Sequence, residues 1–195
     1  MQYKIPAVLF AGGQSSRMGQ DKALLPFAGY ETLSEYQYNR LSKIFEKVYI
    51  SSKEDKFNFQ AEIIFDRYSE SSPMVGLASV FGTLKADAVF ILSVDAPFVN
   101  EEVIERLIKH LEEGTDIVIA RTPGGKQPLC GIYRRSILPF AEENIQNNQH
   151  KIGNVLQKVV TKYVDFKDEE FFMNLNHPHE YEAAVQNLKT KEAEK

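Results

Sequence analysis

Residues 88–94 read Ala-Val-Phe-Ile-Leu-Ser-Val, apolar at every position but Ser93. A strand with one face in water alternates apolar and polar side chains. A run without alternation fits a strand covered on both faces, as at the centre of a parallel sheet. Ile5–Phe10 is a second such run, and Val48–Ile50 and Ile63–Phe65 are shorter ones. Between them the period changes. Leu33, Tyr36, Leu41, Ile44 and Phe45 share one helical face ending near Glu46, and Met74, Leu77, Ala78, Phe81 and Leu84 mark a helix over 74–85. Asn100 can cap a further helix whose stripe is Val103, Ile104, Leu107, Ile108 and Leu111, with Gly114 placed for its stop. Asp116–Ala120 is again a strand. This alternation predicts a mostly parallel, right-handedly connected sheet with helices on both faces. Beyond Arg121 the pattern gives a strand at Leu129–Tyr133, helices near 137–148 and 152–160, a strand at Tyr163–Phe166 and a final helix from about Pro178.

At 195 residues the chain is long enough for one domain that buries a full core. Cys130 is the only cysteine, which excludes an intrachain disulfide and a cysteine-clustered zinc site. With no run of 18 apolar residues and only a short apolar stretch near the start, neither a membrane span nor a secretory signal is expected. A soluble, cytoplasmic protein with reduced thiols is the expectation. The net charge of −4 argues against a nucleic-acid coat. Residues 1–164 carry 19 basic and 19 acidic side chains, so the acidity lies in the last 31 residues. Residues 1–22 hold Lys4, Arg17 and Lys22 against Asp21 alone, a local excess of positive charge suited to a small polyanionic ligand.

That excess surrounds Ala11-Gly12-Gly13-Gln14-Ser15-Ser16-Arg17-Met18-Gly19-Gln20-Asp21-Lys22, directly after the first strand. The spacing fails both the Walker pattern and the dinucleotide G-x-G-x-x-G. Its chemistry still suits phosphate. Adjacent glycines let backbone N–H groups approach an anion, Arg17 offers a planar fork and Lys22 a mobile point charge. A glycine-rich turn decorated with solvated charges would look similar locally. The complete string, at the carboxyl end of strand one where open α/β sheets bind ligands, favours the phosphate reading.

The string from Phe10 to Lys22 closely resembles the L-A-G-G-x-S-x-R-M-G-x-D-K signature of the molybdenum cofactor guanylyltransferases, with Phe10 in place of the usual leucine. Its first part is shared with sugar-phosphate, isoprenoid and molybdopterin-cytidine nucleotidyltransferases; the Asp21-Lys22 ending is more specific. Three further segments follow in the family's order. Ser93-Val94-Asp95-Ala96-Pro97 resembles the D-x-P motif. By position alone Asp95 could hold Mg²⁺ or cap a loop; the resemblance implies the metal and a nucleotide contact. The cytidylyltransferases typically read D-Q-P here, so Ala96 leans toward the guanine enzyme. Ile63–Arg67 followed by Ser72-Pro73-Met74-Val75-Gly76 partly matches a strand ending in Asp and a G-P-L-x-G helix entry, with Ser72 and Met74 as departures. The resemblance implies that Asp66 and Ser51, the latter where the family often has Asn, contact the nucleotide. Asp66 offers an acceptor for the N1–H and N2–H donors of guanine.

Lys126-Gln127-Pro128-Leu129, followed by Ile132-Tyr133-Arg134-Arg135, resembles the [QH]-P-L…Y segment that lines the second-substrate side. Arg134 and Arg135 themselves read better as solvated helix-entry charges. Phe172–Tyr181 resembles F-x-N-x-N-T-P-E-[ED], which places Asn174 and Asn176 at the acceptor pocket; His177 replaces the usual threonine cap. His177 and His179 read as helix-start residues rather than metal ligands, and Cys130 as a small packed residue. No H-E-x-x-H or G-x-S-x-G spacing supports a hydrolase.

The resemblance implies a single-domain Rossmann-like, three-layer α/β/α nucleotidyltransferase fold with a mostly parallel sheet. Residues 1–120 would form the nucleotide-binding part, 121–188 the acceptor side and 189–195 a charged tail. It also implies a Mg²⁺-dependent transfer of GMP from GTP to the terminal phosphate of molybdenum-bound molybdopterin. Phe10, Ala11, Gly12, Gly13, Lys22, Ser51, Asp66 and Asp95 would bind GTP, and Gln127, Pro128, Asn174 and Asn176 the acceptor. Arg17, Lys22 and Asp95 would be catalytic. Transient contacts with other cofactor-biosynthesis or recipient enzymes fit that role. Two other readings use the same residues: a transferase taking CTP or another nucleotide, on molybdopterin or a sugar phosphate, and a non-catalytic nucleotide-binding module.

Overall fold

The computed structural model describes residues 2–13 and 19–193. Seven strands form one sheet: β1 (Ala7–Phe10), β2 (Val48–Ser52), β3 (Glu62–Phe65), β4 (Ala88–Ser93), β5 (Ile117–Thr122), β6 (Gly125–Arg134) and β7 (Thr161–Asp165), in spatial order β3-β2-β1-β4-β6-β5-β7. β6 alone runs against its neighbours β4 and β5; the other pairings are parallel. Among the described residues six α-helices complete the fold: α1 (Leu33–Ile44), α2 (Pro73–Thr83), α3 (Glu101–Lys109), α4 (Leu138–Gln146), α5 (Gly153–Leu156) and α6 (Pro178–Ala193).

The unalternating runs have the expected cause. In β4, Phe90 and Leu92 face a core that includes Leu33 and Leu41 of α1, Leu107 of α3 and Ala184 of α6. Val89 and Ile91 face the other side, against Leu77 and Phe81 of α2, Ala141 of α4 and Val155 of α5. Both faces of the strand are thus buried under helices, which makes the three layers. The first three helices are capped by side-chain oxygens: Thr32 accepts from Glu35 N, Ser72 from Val75 N and Asn100 from Val103 N.

The differences from the sequence expectation have local reasons. β1 starts at Ala7 rather than Ile5, because Pro6 has no N–H to give the ladder, although its carbonyl still accepts from Phe90 N. α3 ends at Lys109, before Gly114, through turn bonds from His110 and Leu111. α5 is one turn, not a helix to 160, and the β-branched pair Val159-Val160 leads directly into β7. β6 is the largest departure. It begins at Gly125, forming a hairpin with β5, so Gln127 and Pro128 belong to a strand. Its register with β5 jumps from Ile119↔Gly131 to Ala120↔Gln127, which leaves Pro128, Leu129 and Cys130 outside that ladder. A proline fits there because no ladder donor is required of it.

Order reverses at β1, which has β2 on one side and β4 on the other. The carboxyl ends of β1 and β4 therefore open the crevice in which α/β sheets of this kind bind ligands.

Candidate active site

Two cavities lie above this crevice and share Pro73, Ser93 and Leu129 as a common wall. The first, of about 510 Å³, is bounded by Phe10, Gly12, Gly13, Ser51, Lys53 and Asp66. The second, of about 560 Å³, is bounded by Asp95, Gln127, Pro128, His150, Asn174 and Asn176. A small recess of about 80 Å³, lined by Gly13, Lys22 and Asp95 among others, lies beside both.

Strand ends position the first cavity. Ala11 extends β1 by donating its N–H to Ser51 O at 3.0 Å, and Asp66 extends β3 by donating to Ser52 O at 3.2 Å. The Ala11 amide is thereby committed to the sheet. Gly12 then passes close to the end of β3: a Cβ on it would lie 3.9 Å from Asp66 Oδ2. Burial raises the pKa of the Asp66 carboxyl, and the positive charge of Lys53 opposes it. Lys53 Nζ donates to Ser69 O at 2.9 Å across the cavity mouth.

At the junction, Lys22 Nζ donates to Asp95 Oδ2 at 3.0 Å and to Asn176 Oδ1 at 2.8 Å. The other Asp95 oxygen accepts from Ser93 Oγ at 2.6 Å, and its backbone carbonyl accepts from Leu175 N at 2.8 Å. Three segments far apart in sequence thus meet around one carboxylate. Lys22 stands on a 3₁₀ turn, Lys22–Leu24, whose cap is Asp21: Asp21 Oδ1 accepts from Ala23 N at 3.0 Å. Asp21 Oδ2 pairs with Lys56 Nζ, which also donates to Ala11 O.

The second cavity is held by β6 and the segment before α6. Pro128 O accepts from the buried Tyr133 hydroxyl at 2.5 Å, and burial keeps that phenol raised well above its ordinary pKa. Cys130 is buried in the cavity wall, its thiol pushed up to about 12 by burial, with Arg40 only partly opposing. It is a neutral packing residue. Glu180 Oε2 accepts from Asn176 N at 2.6 Å and His177 N at 2.8 Å. Burial pulls that carboxyl up, but these two amides together with the neighbouring His177 and His179 outweigh it and hold it below the ordinary range. The departure of His177 from threonine is thus covered by Glu180, which performs the capping-box half of the contact. His150 joins the two sides: its Nδ1 lies 3.3 Å from Ser72 Oγ, its Nε2 2.8 Å from Asn148 Oδ1.

Every residue expected at the site borders this crevice, except Arg17, which lies outside the described residues. Lys53, Lys56, Tyr133 and His150 were not singled out from sequence. Only Tyr133 had a signal, as the tyrosine of the Q-P-L…Y segment. Arg135 corrects an expectation. It is not a solvated charge: it donates to Phe81 O at 2.8 Å, Ala86 O at 3.2 Å and Leu84 O, tying down the C-terminal end of α2. Arg134 likewise donates to Thr115 O at 2.8 Å and Glu112 O at 3.3 Å.

Asp95 lies at the junction and Asp21 also lines the adjoining recess, and no group of three His, Cys, Asp or Glu side chains able to hold a metal occurs among the described residues. That donor set fits Mg²⁺, which takes one or two carboxylates and fills its remaining positions with water and substrate phosphates. No helix among the described residues is long and apolar enough to cross a membrane.

Comparison with known proteins agrees with this architecture. The chain is 40% identical over 188 residues to a Campylobacter jejuni protein named molybdenum cofactor guanylyltransferase, covering 95% of this chain and 98% of that one. A Helicobacter pylori protein of the same name is 34% identical over 193 residues, covering 95% and 94%. The crystal structure of molybdopterin-guanine dinucleotide biosynthesis protein A from Archaeoglobus fulgidus superposes with a TM-score of 0.83 at 21% identity, over 95% of this chain and all of that one, and shares the fold. The model of the MobA-like NTP transferase domain matches residues 7–184, nearly the whole of the described sheet and its helices. The chain belongs to the MobA-like NTP transferase domain family.

Proposed function

We propose that the protein transfers GMP from GTP to the terminal phosphate of molybdenum-bound molybdopterin, releasing pyrophosphate and forming the guanine dinucleotide form of the cofactor. The observation that carries this reading is the junction: Lys22 bonds both Asp95 and Asn176 where a cavity suited to a nucleotide meets a second one of similar size. The names of relatives at 40% and 34% identity support the choice of guanine and molybdopterin. So does Asp66, an acceptor facing the space where guanine would present N1–H and N2–H.

In this reaction an oxygen of the acceptor phosphate forms a bond to the α-phosphorus of GTP. The bond from that phosphorus to the bridging oxygen breaks, and its electron pair leaves on pyrophosphate. The acceptor phosphate is already an anion, so no general base is needed. The protein's task is to align two anions and to offset their charge. The amides of Gly12 and Gly13, with Arg17 and Lys22, hold the polyphosphate, while the Ala11 amide remains in the sheet. Asp66 and Ser51 position the nucleoside; Gln127, Pro128, Asn174 and Asn176 face the acceptor. Asp95 would hold Mg²⁺, whose contribution when bound is to neutralise charge on the phosphate oxygens. Both substrates are small molecules, consistent with a reaction in the cytoplasm.

The test is pyrophosphate release with molybdopterin as acceptor, GTP and CTP being supplied separately with Mg²⁺. Turnover with GTP and little with CTP is expected. Turnover preferring CTP, or none with GTP, would overturn the assignment.

A further inference from the structure

Lys56 lies in the loop between β2 and β3, outside every motif described above. Its side chain is nonetheless only 15% exposed, and its Nζ sits 5.9 Å from the centroid of the Phe57 ring. Two acceptors share that ammonium: Ala11 O at 3.1 Å and Asp21 Oδ2 in an ion pair. Ala11 immediately precedes Gly12, and Asp21 closes the same glycine-rich segment. One cation therefore joins its two ends. The carboxylate it holds also caps, through Oδ1, the turn that carries Lys22 toward Asp95 and Asn176.

We propose that Lys56 is a positioning residue for the nucleotide phosphates: by holding Ala11 O and Asp21 Oδ2 together it fixes Gly12 and Gly13 on one side of the site and the turn that carries Lys22 on the other. The proposal rests on the phosphate-binding reading of Gly12, Gly13 and Lys22. Phosphate-binding groups that are not held in place beforehand must be ordered when the polyphosphate binds, and that ordering cost is subtracted from affinity. A compact ammonium with three donors suits one carboxylate and one carbonyl at once. The low exposure of the pair means that salt screens it less than a surface pair.

Lys56→Met keeps the apolar stem beside Phe57 and removes the charge. In the nucleotide-free protein, amide exchange at Gly12, Gly13 and Gly19 should quicken by about tenfold, the loss expected for one charge-assisted contact. The KM for GTP should rise by a similar factor, with kcat within about threefold and the melting temperature lower by about 3–6 °C, the same contact counted at global unfolding. Lys56→Arg should recover most of the affinity, since a guanidinium can span the same two oxygens. Asp21→Asn combined with Lys56→Met should be no worse than Lys56→Met alone, because both remove one contact. Unchanged exchange and unchanged KM would overturn the proposal. So would a loss of kcat in step with a lowered melting temperature that arginine does not repair. Exchange is read without nucleotide, so it reports on the clip whichever nucleotide the enzyme uses. Failure of the guanylyltransferase reading would instead appear as absent GTP turnover in the wild-type protein.

Discussion

Gly76→Ala tests the contact on which the shape of the first cavity depends. Gly76 is the fourth residue of α2, and in an open helix the change to alanine stabilises by about 0.5–1 kcal/mol. Here the new Cβ would lie 2.7 Å from Phe10 Cε2 and 3.0 Å from Cζ. The phenyl ring must retreat by about 0.7 Å to restore ordinary contact. Overpacking a closed core costs about 1–3 kcal/mol. Phe10, however, borders the cavity of about 510 Å³ on its other side, so its ring has room to move. The cost should fall at the low end, and the helix gain offsets part of it, leaving about 0–2 kcal/mol of net destabilisation. The functional effect should be clearer, because the ring retreats into the space proposed for the nucleoside. Losing about 1–2 kcal/mol of fit would raise the KM for GTP roughly 5- to 30-fold, with kcat little changed. Gly82→Ala, later in the same helix, is the control. The three atoms nearest its Cβ all belong to the exposed side chain of Arg67, which can swing aside, so that variant should melt slightly higher at unchanged KM. Thermal melts and steady-state pyrophosphate release on both variants decide the matter. A Gly76→Ala protein that gains the full helix increment and keeps wild-type KM would refute the reasoning.

Other residues give sharper single readouts. Lys22→Met removes a charge-assisted contact to the phosphates worth about 1.5–3 kcal/mol, so kcat/KM should fall roughly 10- to 150-fold; GTP affinity and rate both unchanged would remove it from the site. Arg135→Met leaves the carbonyls of Phe81, Leu84 and Ala86 without their donor. At about 2 kcal/mol this should lower Tm by about 4–8 °C with KM for GTP unaffected, and a shifted KM at constant Tm would contradict the structural role. Asp66→Asn should separate stability from binding. Burial raises the folded pKa of Asp66, so its charge destabilises the native state above that raised value, and the penalty shrinks as pH falls through it toward the unfolded value near about 4. The asparagine variant should therefore unfold at higher urea than wild type at pH 7, lose that advantage below about pH 4, and bind GTP more weakly. An advantage that persisted in acid would show that desolvation of this carboxylate is not its source.

What could be read without coordinates divides along physical lines. The apolar runs of β1 and β4 announced strands covered on both faces because burial acts on every residue of such a strand, and the helix stripes were equally plain. Strand direction leaves no mark in that pattern. The antiparallel run of β6, and the ladder break beside the second cavity at Pro128, therefore emerged only in three dimensions. Gly12, Gly13 and Asp95 could be placed at the crevice from their positions after strand ends, whereas Asp66 was placed there by the family resemblance. Lys22 and Asn176 were legible as motif residues, but their meeting across 154 positions was not. Charged residues away from strand ends were the hardest to place. Arg135 looked solvated beside its helix, yet α2 has no basic residue in its own last turn, and its terminal carbonyls draw that charge from more than fifty residues away. Lys56 looked like one more loop lysine, and its two acceptors lie 35 and 45 positions away. For such residues the role resides in which unsatisfied oxygens the fold brings within reach, and no spacing along the chain encodes it. The Lys56 variants therefore test the part of the site that sequence motifs describe least.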